Sequence, residues 1–298
     1  MLLLFAALQF ANPADSPETR AVMDKSRQKA AEQRANEASA AASEAEQKQE
    51  AAQGAQPLPI PPEMQKNFQR CLNTAIENPI AGQGFAESWR LDGGGIYARQ
   101  CLGFSLTRQE RWTAAVVAFE QAADEAERSG TPDSAANSAR LLAQAGNAAL
   151  AGNDLAKARA DFDGALARGL PDGLEKGEVF LDRARTLVAL NELSAARDDL
   201  DVAIDMVPQD PLAWLLSATL ARRMNALNLA QRHIAQAVKL SPDDASVALE
   251  EGNIAILSGT DDVAKLAWQR AVQLSPESDA GKSAAANLAT LAGQKTVE

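Results

Sequence analysis

Small and bulky apolar residues recur along the chain after residue 96 in a pattern that predicts paired α-helices. A Gly or Ala is followed twelve residues later by Ala, a bulky apolar residue and Ala at offsets 0, 4 and 7, and this occurs five times. These offsets fall on one stripe of a helix, so each triplet predicts one buried face. The small residue upstream predicts a close helix crossing, because a large side chain there would push the helices apart. The small residues are Gly103, Gly146, Ala184, Ala218 and Gly252, and the triplets are centred on Phe119, Phe162, Leu200, Ile234 and Trp268.

This pattern resembles the tetratricopeptide repeat, which has small residues at positions 8, 20 and 27 and a large residue at position 24. All five units satisfy it when their first positions are Ile96, Ala139, Gly177, Pro211 and Ala245. The last three units end at Pro208, Pro242 and Pro276, whereas the first two have Glu127 and Leu170 there and longer connections, with about 9 and 4 extra residues near 129–134 and 169–176. The resemblance implies an all-α fold, a right-handed α-α superhelix of tetratricopeptide-like helical hairpins with a C-terminal capping helix. A non-repeating helical bundle is the alternative.

Large apolar side chains are concentrated after about residue 64, and this uneven distribution divides the chain. We expect a degenerate first helical unit over residues 63–95, five repeats over 96–278, and a capping helix with a tail over 279–298. Upstream, residues 15–56 are rich in Ala, Glu and Gln and predict a helical or disordered stalk, followed by a Pro-rich linker at 57–62. Several Ala residues between 31 and 52 fall on a heptad seam, so weak self-association through the stalk is an alternative to a purely solvated segment.

Two features bear on the compartment in which the protein works. The first eleven residues form an apolar run of signal-peptide length, so residues 1–14 are predicted to be a signal peptide or a short N-terminal anchor. No Lys or Arg precedes Leu2, so either the true start lies upstream of Met1 or the segment is an uncleaved anchor. Cys71 and Cys101 occupy matching places on the first helices of consecutive units, which makes a disulfide geometrically reasonable. We expect a periplasmic or otherwise exported protein; buried free thiols and a cytoplasmic location are the alternatives.

Residues that usually carry catalysis or bind metals are few in this chain. His233 is the single histidine, and with two cysteines it supplies neither a zinc-ligand set nor a plausible nucleophile–base pair. We therefore expect no enzyme activity, no cofactor and no metal, and we expect His233 to lie on a solvated helix face. The net charge of −11, without a cluster of basic and aromatic residues, argues against nucleic acid. A protein or peptide is the expected partner.

The resemblance to tetratricopeptide repeats implies a concave groove on the first helices that holds a peptide or a partner helix. Its positions correspond to Tyr97, Phe104, Arg108, Arg140, Asn147, Arg185, Thr219, Arg222, Arg223 and Asn253. The recurrence of arginine favours a partner that carries carboxylates; alternatively, these arginines pair with Glu and Asp of their own repeats. The Lys that the family's chaperone-tail clamp requires is absent from all five units.

These features together predict a non-catalytic interaction scaffold in the cell envelope. One alternative is an enzyme, or an enzyme subunit, that uses the groove as its substrate site. Another is a self-assembling structural protein of the envelope whose stalk oligomerises.

Overall fold

The computed structural model describes residues 60–294, a range that contains thirteen α-helices and no β-strand. The helices are α1 (Pro62–Glu77), α2 (Pro79–Leu91), α3 (Gly95–Thr107), α4 (Trp112–Arg128), α5 (Ser134–Ala151), α6 (Leu155–Ala167), α7 (Leu174–Ala189), α8 (Leu193–Met206), α9 (Pro211–Arg223), α10 (Leu227–Leu240), α11 (Ala245–Leu257), α12 (Asp261–Leu274) and α13 (Asp279–Gln294). The predicted signal peptide or anchor (1–14), the predicted stalk (15–56) and the first part of the Pro-rich linker lie outside the described residues. Across the described helices, none combines the length and the apolar character that a membrane span requires.

Consecutive helices pack as hairpins: α1 with α2, α3 with α4, and so on to α11 with α12. Each hairpin also packs against the next one, and α13 packs against both α11 and α12. Buried apolar residues follow this order as a series of neighbouring clusters. The predicted all-α fold of tetratricopeptide-like hairpins with a C-terminal capping helix is therefore confirmed.

The predicted close crossing between paired helices is present where the small residue is glycine. A Cβ atom added to Gly103 would lie 2.7 Å from the ring of Phe119, and one added to Gly146 would lie 2.7 Å from the ring of Phe162. At Gly252 the corresponding distance to Trp268 is 2.4 Å. The five bulky residues at the triplet centres are all buried: Phe119, Phe162, Leu200, Ile234 and Trp268. They occupy equivalent places, one in each of the five hairpins from α3–α4 to α11–α12.

The turn inside each of these five hairpins has the same backbone geometry. One residue adopts a left-handed conformation, with φ between 57° and 74° across the five turns. In the hairpin of α5 and α6 this residue is Asn153, and the N–H of Asp154 donates to the carbonyl of Ala149 at 2.9 Å. This Schellman-type bond caps the first helix and reverses the chain. The left-handed residues are Glu110, Asn153, Asn191, Asn225 and Gly259.

The first hairpin departs from this pattern. Only Asn78 separates α1 from α2, and its side chain caps α2 by accepting from the N–H groups of Ile80 and Ala81. A Cβ on Gly82 would lie 2.5 Å from Ala75, so these two small residues bring the helices together. A disulfide joins Cys71 on α1 to Cys101 on α3, with a Cα–Cα distance of 6.2 Å. The predicted disulfide is thus present, and it ties the first hairpin to the second.

The extra residues of the first two repeats become helix as well as connection. α4 and α5 have 17 and 18 residues, and α5 begins before the expected first position Ala139. α7 likewise begins before Gly177, directly after Gly173, whose φ is 119°. The connections 129–133 and 168–173 are longer than the four-residue connections after α8, α10 and α12, as expected, and the rest of each insertion extends the helices beside it.

Candidate protein-binding groove

The ten predicted groove residues lie on five first helices, and none of them is buried. Tyr97 and Phe104 lie on α3, Arg108 at its C-terminal end, Arg140 and Asn147 on α5, Arg185 on α7, Thr219, Arg222 and Arg223 on α9, and Asn253 on α11. The structure brings them together in only two places: between α7 and α9, and between α9, α11 and α13.

An apolar pocket of ≈ 230 Å³ lies between α7 and α9. Arg185, Thr219 and Arg223 line it together with the apolar residues Ala184, Val188, Leu200, Leu216 and Leu220. Arg223 is exposed and has no ion pair within residues 60–294. Arg185 is 50% exposed, and its Nη1 lies 3.0 Å from Oδ1 of Asp182 on the same helix. Two accessible guanidinium groups thus flank one apolar pocket, here named the Arg185–Arg223 pocket.

The other arginines on the first helices differ in their availability. Arg140 donates from Nε to Oε2 of Glu175 at 2.8 Å, and Arg222 donates from Nε to Oε1 of the buried Glu250 at 2.6 Å. Both glutamates belong to the following hairpin, so these ion pairs hold consecutive hairpins together. Among the five predicted groove arginines, the alternative of pairing within the same repeat therefore applies only to Arg185. Arg108 is exposed and has no ion pair in the part of the chain that the structure describes.

A second, more polar pocket of ≈ 440 Å³ surrounds Asn253. The Oδ1 atom of Asn253 accepts from Trp268 Nε1 at 3.2 Å and from Asn287 Nδ2 at 3.1 Å. Its Nδ2 atom donates to Glu250 at 3.2 Å, and Glu250 is already held by Arg222. The polar atoms of Asn253 are thus engaged within the chain, which makes this pocket a weaker candidate for partner binding.

Sequence reasoning missed several residues of these pockets. The apolar residues Val188, Leu216 and Leu220 were not predicted, because they follow no polar or charged signature. Asn287 on α13 lies 34 residues after Asn253, so the repeat period could have identified it. The capping helix therefore continues the row of first helices as well as covering the last hairpin.

The remaining predicted residues do not join the Arg185–Arg223 pocket. Tyr97 packs against Phe68 of α1 with ring centroids 5.9 Å apart, and burial, with a smaller contribution from Glu63, raises the pKa of its hydroxyl. Phe104 and Asn147 line neither of the two pockets. The groove positions thus form separate local environments.

His233 lies in a different environment from the one expected. It is half-buried on α10, with Nδ1 2.8 Å from Ser217 Oγ and its ring against Trp214 at a centroid distance of 5.3 Å. Burial lowers the pKa of His233. The prediction of a solvated helix face was wrong, because side chains of α9 cover this part of α10. Between residues 60 and 294, no group of His, Cys, Asp and Glu side chains is arranged to hold a metal ion.

Similarity to known proteins is visible in three-dimensional structure alone. Neither a protein-family model nor a curated protein matches the chain. PilF of Pseudomonas aeruginosa is 15% identical over 75% of this chain and 97% of its own, with a TM-score of 0.61. MamA of Desulfovibrio magneticus RS-1 is 16% identical over 62% and 97%, with a TM-score of 0.52. The Cut9–Hcn1 hetero-tetramer of the APC/C gives 13% identity over 72% and 40%, with a TM-score of 0.57.

These neighbours are tetratricopeptide-repeat proteins. At such low identity, the similarity shows the fold alone. The described part of this chain thus has the tetratricopeptide-repeat fold.

Proposed function

We propose that this protein is a non-catalytic scaffold that holds a partner peptide or helix at the Arg185–Arg223 pocket. The observation that carries this proposal is the pair of accessible guanidinium groups beside an apolar pocket. An aliphatic side chain fits the apolar wall, while carboxylates next to it accept hydrogen bonds from the arginines. The partner is therefore a protein segment with an apolar residue beside Asp or Glu. The tetratricopeptide-repeat fold, which is suited to protein interaction, supports this function.

Affinity capture with a matched pair of variants tests the proposal. The first variant carries Arg185→Ala and Arg223→Ala; the second carries Arg197→Ala and Arg232→Ala, which remove two exposed arginines from the second helices α8 and α10. Arg222 is retained in both because it holds the buried Glu250. We expect the first variant to recover at least tenfold less of a specific partner by quantitative mass spectrometry, and the second to behave as the wild type. Equal recovery by both variants would contradict the proposal.

The proposal places the scaffold in the cell envelope. The apolar run at the N-terminus and the disulfide between Cys71 and Cys101 support this placement, because disulfides persist in oxidising compartments. Thiol alkylation of protein taken directly from cells tests it. We expect Cys71 and Cys101 to resist alkylation under denaturing conditions until a reductant is added. Two reactive thiols before reduction would argue for a cytoplasmic protein.

The proposal also assigns roles to the segments of the chain. Residues 1–14 direct export or anchor the chain, residues 15–56 and 57–62 act as a stalk and a stiff linker, and residues 63–95 form an N-terminal unit for the repeats over 96–278. Residues 279–298 supply the capping helix and a tail. Sedimentation of the full chain and of a chain lacking residues 12–62 tests the stalk: a change in oligomeric state would assign self-association to it instead of a spacer role.

A further inference from the structure

A polar cavity of ≈ 390 Å³ lies on the second helices of the first two repeats. It is lined by Glu120 and Asp124 from α4, by Lys157 and Asp161 from α6, and by Arg168 directly after α6; none of the ten groove residues lines it. Arg168 is already bound to Glu127 on α4. The cavity is thus separate from the Arg185–Arg223 pocket and has its own chemistry.

The buried carboxylate of Asp161 is incompletely hydrogen-bonded. Its Oδ1 atom accepts from Lys157 Nζ at 2.9 Å, and the same ammonium group contacts Glu120. The side chain of Asp161 is only 4% exposed, and its buried Oδ2 atom has no hydrogen-bond partner. A buried carboxylate oxygen without a donor is destabilising, so this oxygen requires an N–H or O–H group.

The third repeat shows which donor the equivalent carboxylate takes. Asp199 lies 38 residues after Asp161, at the same place on the second helix of its hairpin. Arg183 holds it with two bonds, from Nε to Oδ2 at 2.8 Å and from Nη2 to Oδ1 at 2.7 Å. The residue at the place of Arg183 in the second repeat is Ala145, which has no donor to offer. Asp161 therefore has the position of Asp199 without its guanidinium group.

The remaining charges of the cavity favour a cation. Lys157 is shared between two carboxylates, and Arg168 is shared between Glu127 and the carbonyl of Gly164. Asp124 is exposed, and within residues 60–294 its carboxylate makes no ion pair. Carboxylates thus exceed the basic groups available to them, and a planar guanidinium matches a carboxylate with two parallel hydrogen bonds.

We propose that this cavity binds an arginine side chain of a partner protein, with its guanidinium donating to Asp161 Oδ2. Because the cavity lies on second helices, it forms an interaction surface independent of the groove, and one scaffold can hold two partners at once. Asp124 and Glu120 surround the entering cation. Lys157 keeps its contact with Glu120 and releases Asp161 as the guanidinium takes its place.

An NMR titration of the full chain tests this site. The probe is Nα-acetyl-arginine methylamide, and its neutral counterpart is the citrulline analogue, which has the same shape without the charge. We expect saturable shifts confined to backbone signals of α4 and α6 with the arginine probe, and none with the citrulline analogue. Asp161→Asn, which keeps the side-chain shape, should weaken the arginine affinity at least tenfold. Absence of saturable shifts at α4 and α6 would overturn the proposal.

Two further variants keep the test decisive. Asp205→Asn removes an exposed carboxylate at the place on α8 that corresponds to Asp124 on α4, and it should bind the probe as the wild type does. Asp124→Asn, on the exposed rim of the cavity, should weaken binding at least threefold and tests the site without changing the buried Asp161. Equal weakening by Asp205→Asn would reduce the effect to general attraction by an acidic protein. Tighter binding of free spermidine with the same shifts would replace the protein side chain by a polyamine as the ligand.

Discussion

The second and third repeats use the same apolar pairing but differ in how they satisfy a buried carboxylate. Phe162 packs on Gly146 in one, and Leu200 packs beside Ala184 in the other, so the paired helices cross in equivalent places. Arg183 binds Asp199 with two hydrogen bonds in the third repeat. In the second repeat, Ala145 stands at the position of Arg183, and Oδ2 of Asp161 has no partner. The apolar positions define the hairpin, and the polar positions beside them are free to become either an internal ion pair or an open cavity.

Arg183→Ala should produce the largest effect, because it leaves Asp199 buried without its bidentate partner. We expect a loss of about 3 kcal/mol in the free energy of unfolding, measured by urea denaturation. Arg197→Ala, which removes a 52% exposed arginine from α8, is the control and should change stability by less than about 0.5 kcal/mol. Replacing both partners, with Arg183→Met and Asp199→Leu, should recover most of the loss. Equal effects of Arg183→Ala and Arg197→Ala would show that the ion pair does not hold the third repeat together.

Gly146→Ala should have the next largest effect on stability, because the added Cβ would lie 2.7 Å from the ring of Phe162. We expect a net loss of about 2 kcal/mol from overpacking, despite the better helix propensity of Ala. Gly84→Ala on α2 is the matched control: a Cβ there meets no atom within 4 Å, so this variant should be slightly stabilised. The double variant Gly146→Ala with Phe162→Leu copies the pair of the third repeat and should regain stability. A double variant less stable than Gly146→Ala would contradict the equivalence of the two crossings.

Asp161→Asn should stabilise the chain by about 1 kcal/mol at pH 7, because it removes a buried charge that Lys157 only partly satisfies. Burial raises the pKa of Asp161, with Lys157 opposing the shift. The ionised form is therefore disfavoured in the folded chain. The free-energy penalty for burying this charge is fully present above the raised pKa of Asp161. It disappears as the pH falls through this pKa towards about 3.9, the usual pKa of Asp in an unfolded chain.

The stability gap between Asp161→Asn and the wild type should consequently narrow as the pH is lowered from 7 to 4. Thermal melts at several pH values measure this, with Asp205→Asn as a control whose gap should stay small throughout. A variant that is less stable than the wild type at pH 7 would show that the ion pair with Lys157 outweighs the burial penalty.

Glu110→Asn should give the smallest effect. The first repeat has Glu at the left-handed turn position, with φ of 57°, where the second and third repeats have Asn153 and Asn191. Asn adopts this conformation more readily than Glu, so the free energy of unfolding should increase by about 0.5 kcal/mol, as measured by thermal or urea denaturation. The reverse change, Asn153→Glu, should lose a similar amount. If neither change alters the free energy of unfolding, the identity of the left-handed turn residue does not contribute to a difference in stability between the repeats.

The parts predicted correctly from the sequence share one physical property. The Gly146 and Phe162 contact, the buried triplets and the hairpin order all depend on residues at fixed spacing within one pair of helices, so helical periodicity determines them. The disulfide was predictable because Cys71 and Cys101 occupy matching places on neighbouring first helices. The start of α5 at Ser134 was missed because the inserted residues near 129–134 carry no apolar stripe at helical spacing, so periodicity does not show where the helix begins.

The sequence by itself determined the repeating helical hairpins, the buried apolar residue at the centre of each of the five repeats and the first-helix positions that we propose as a partner-binding surface. Only the tertiary structure decided that Arg222 forms an ion pair with Glu250 while Arg223 stays accessible. It also decided that His233 packs against Trp214. Periodicity places a side chain on a face of its own helix, but its partner comes from another helix. The rotation and separation of packed helices are set by every side chain between them, and this decides which polar groups meet.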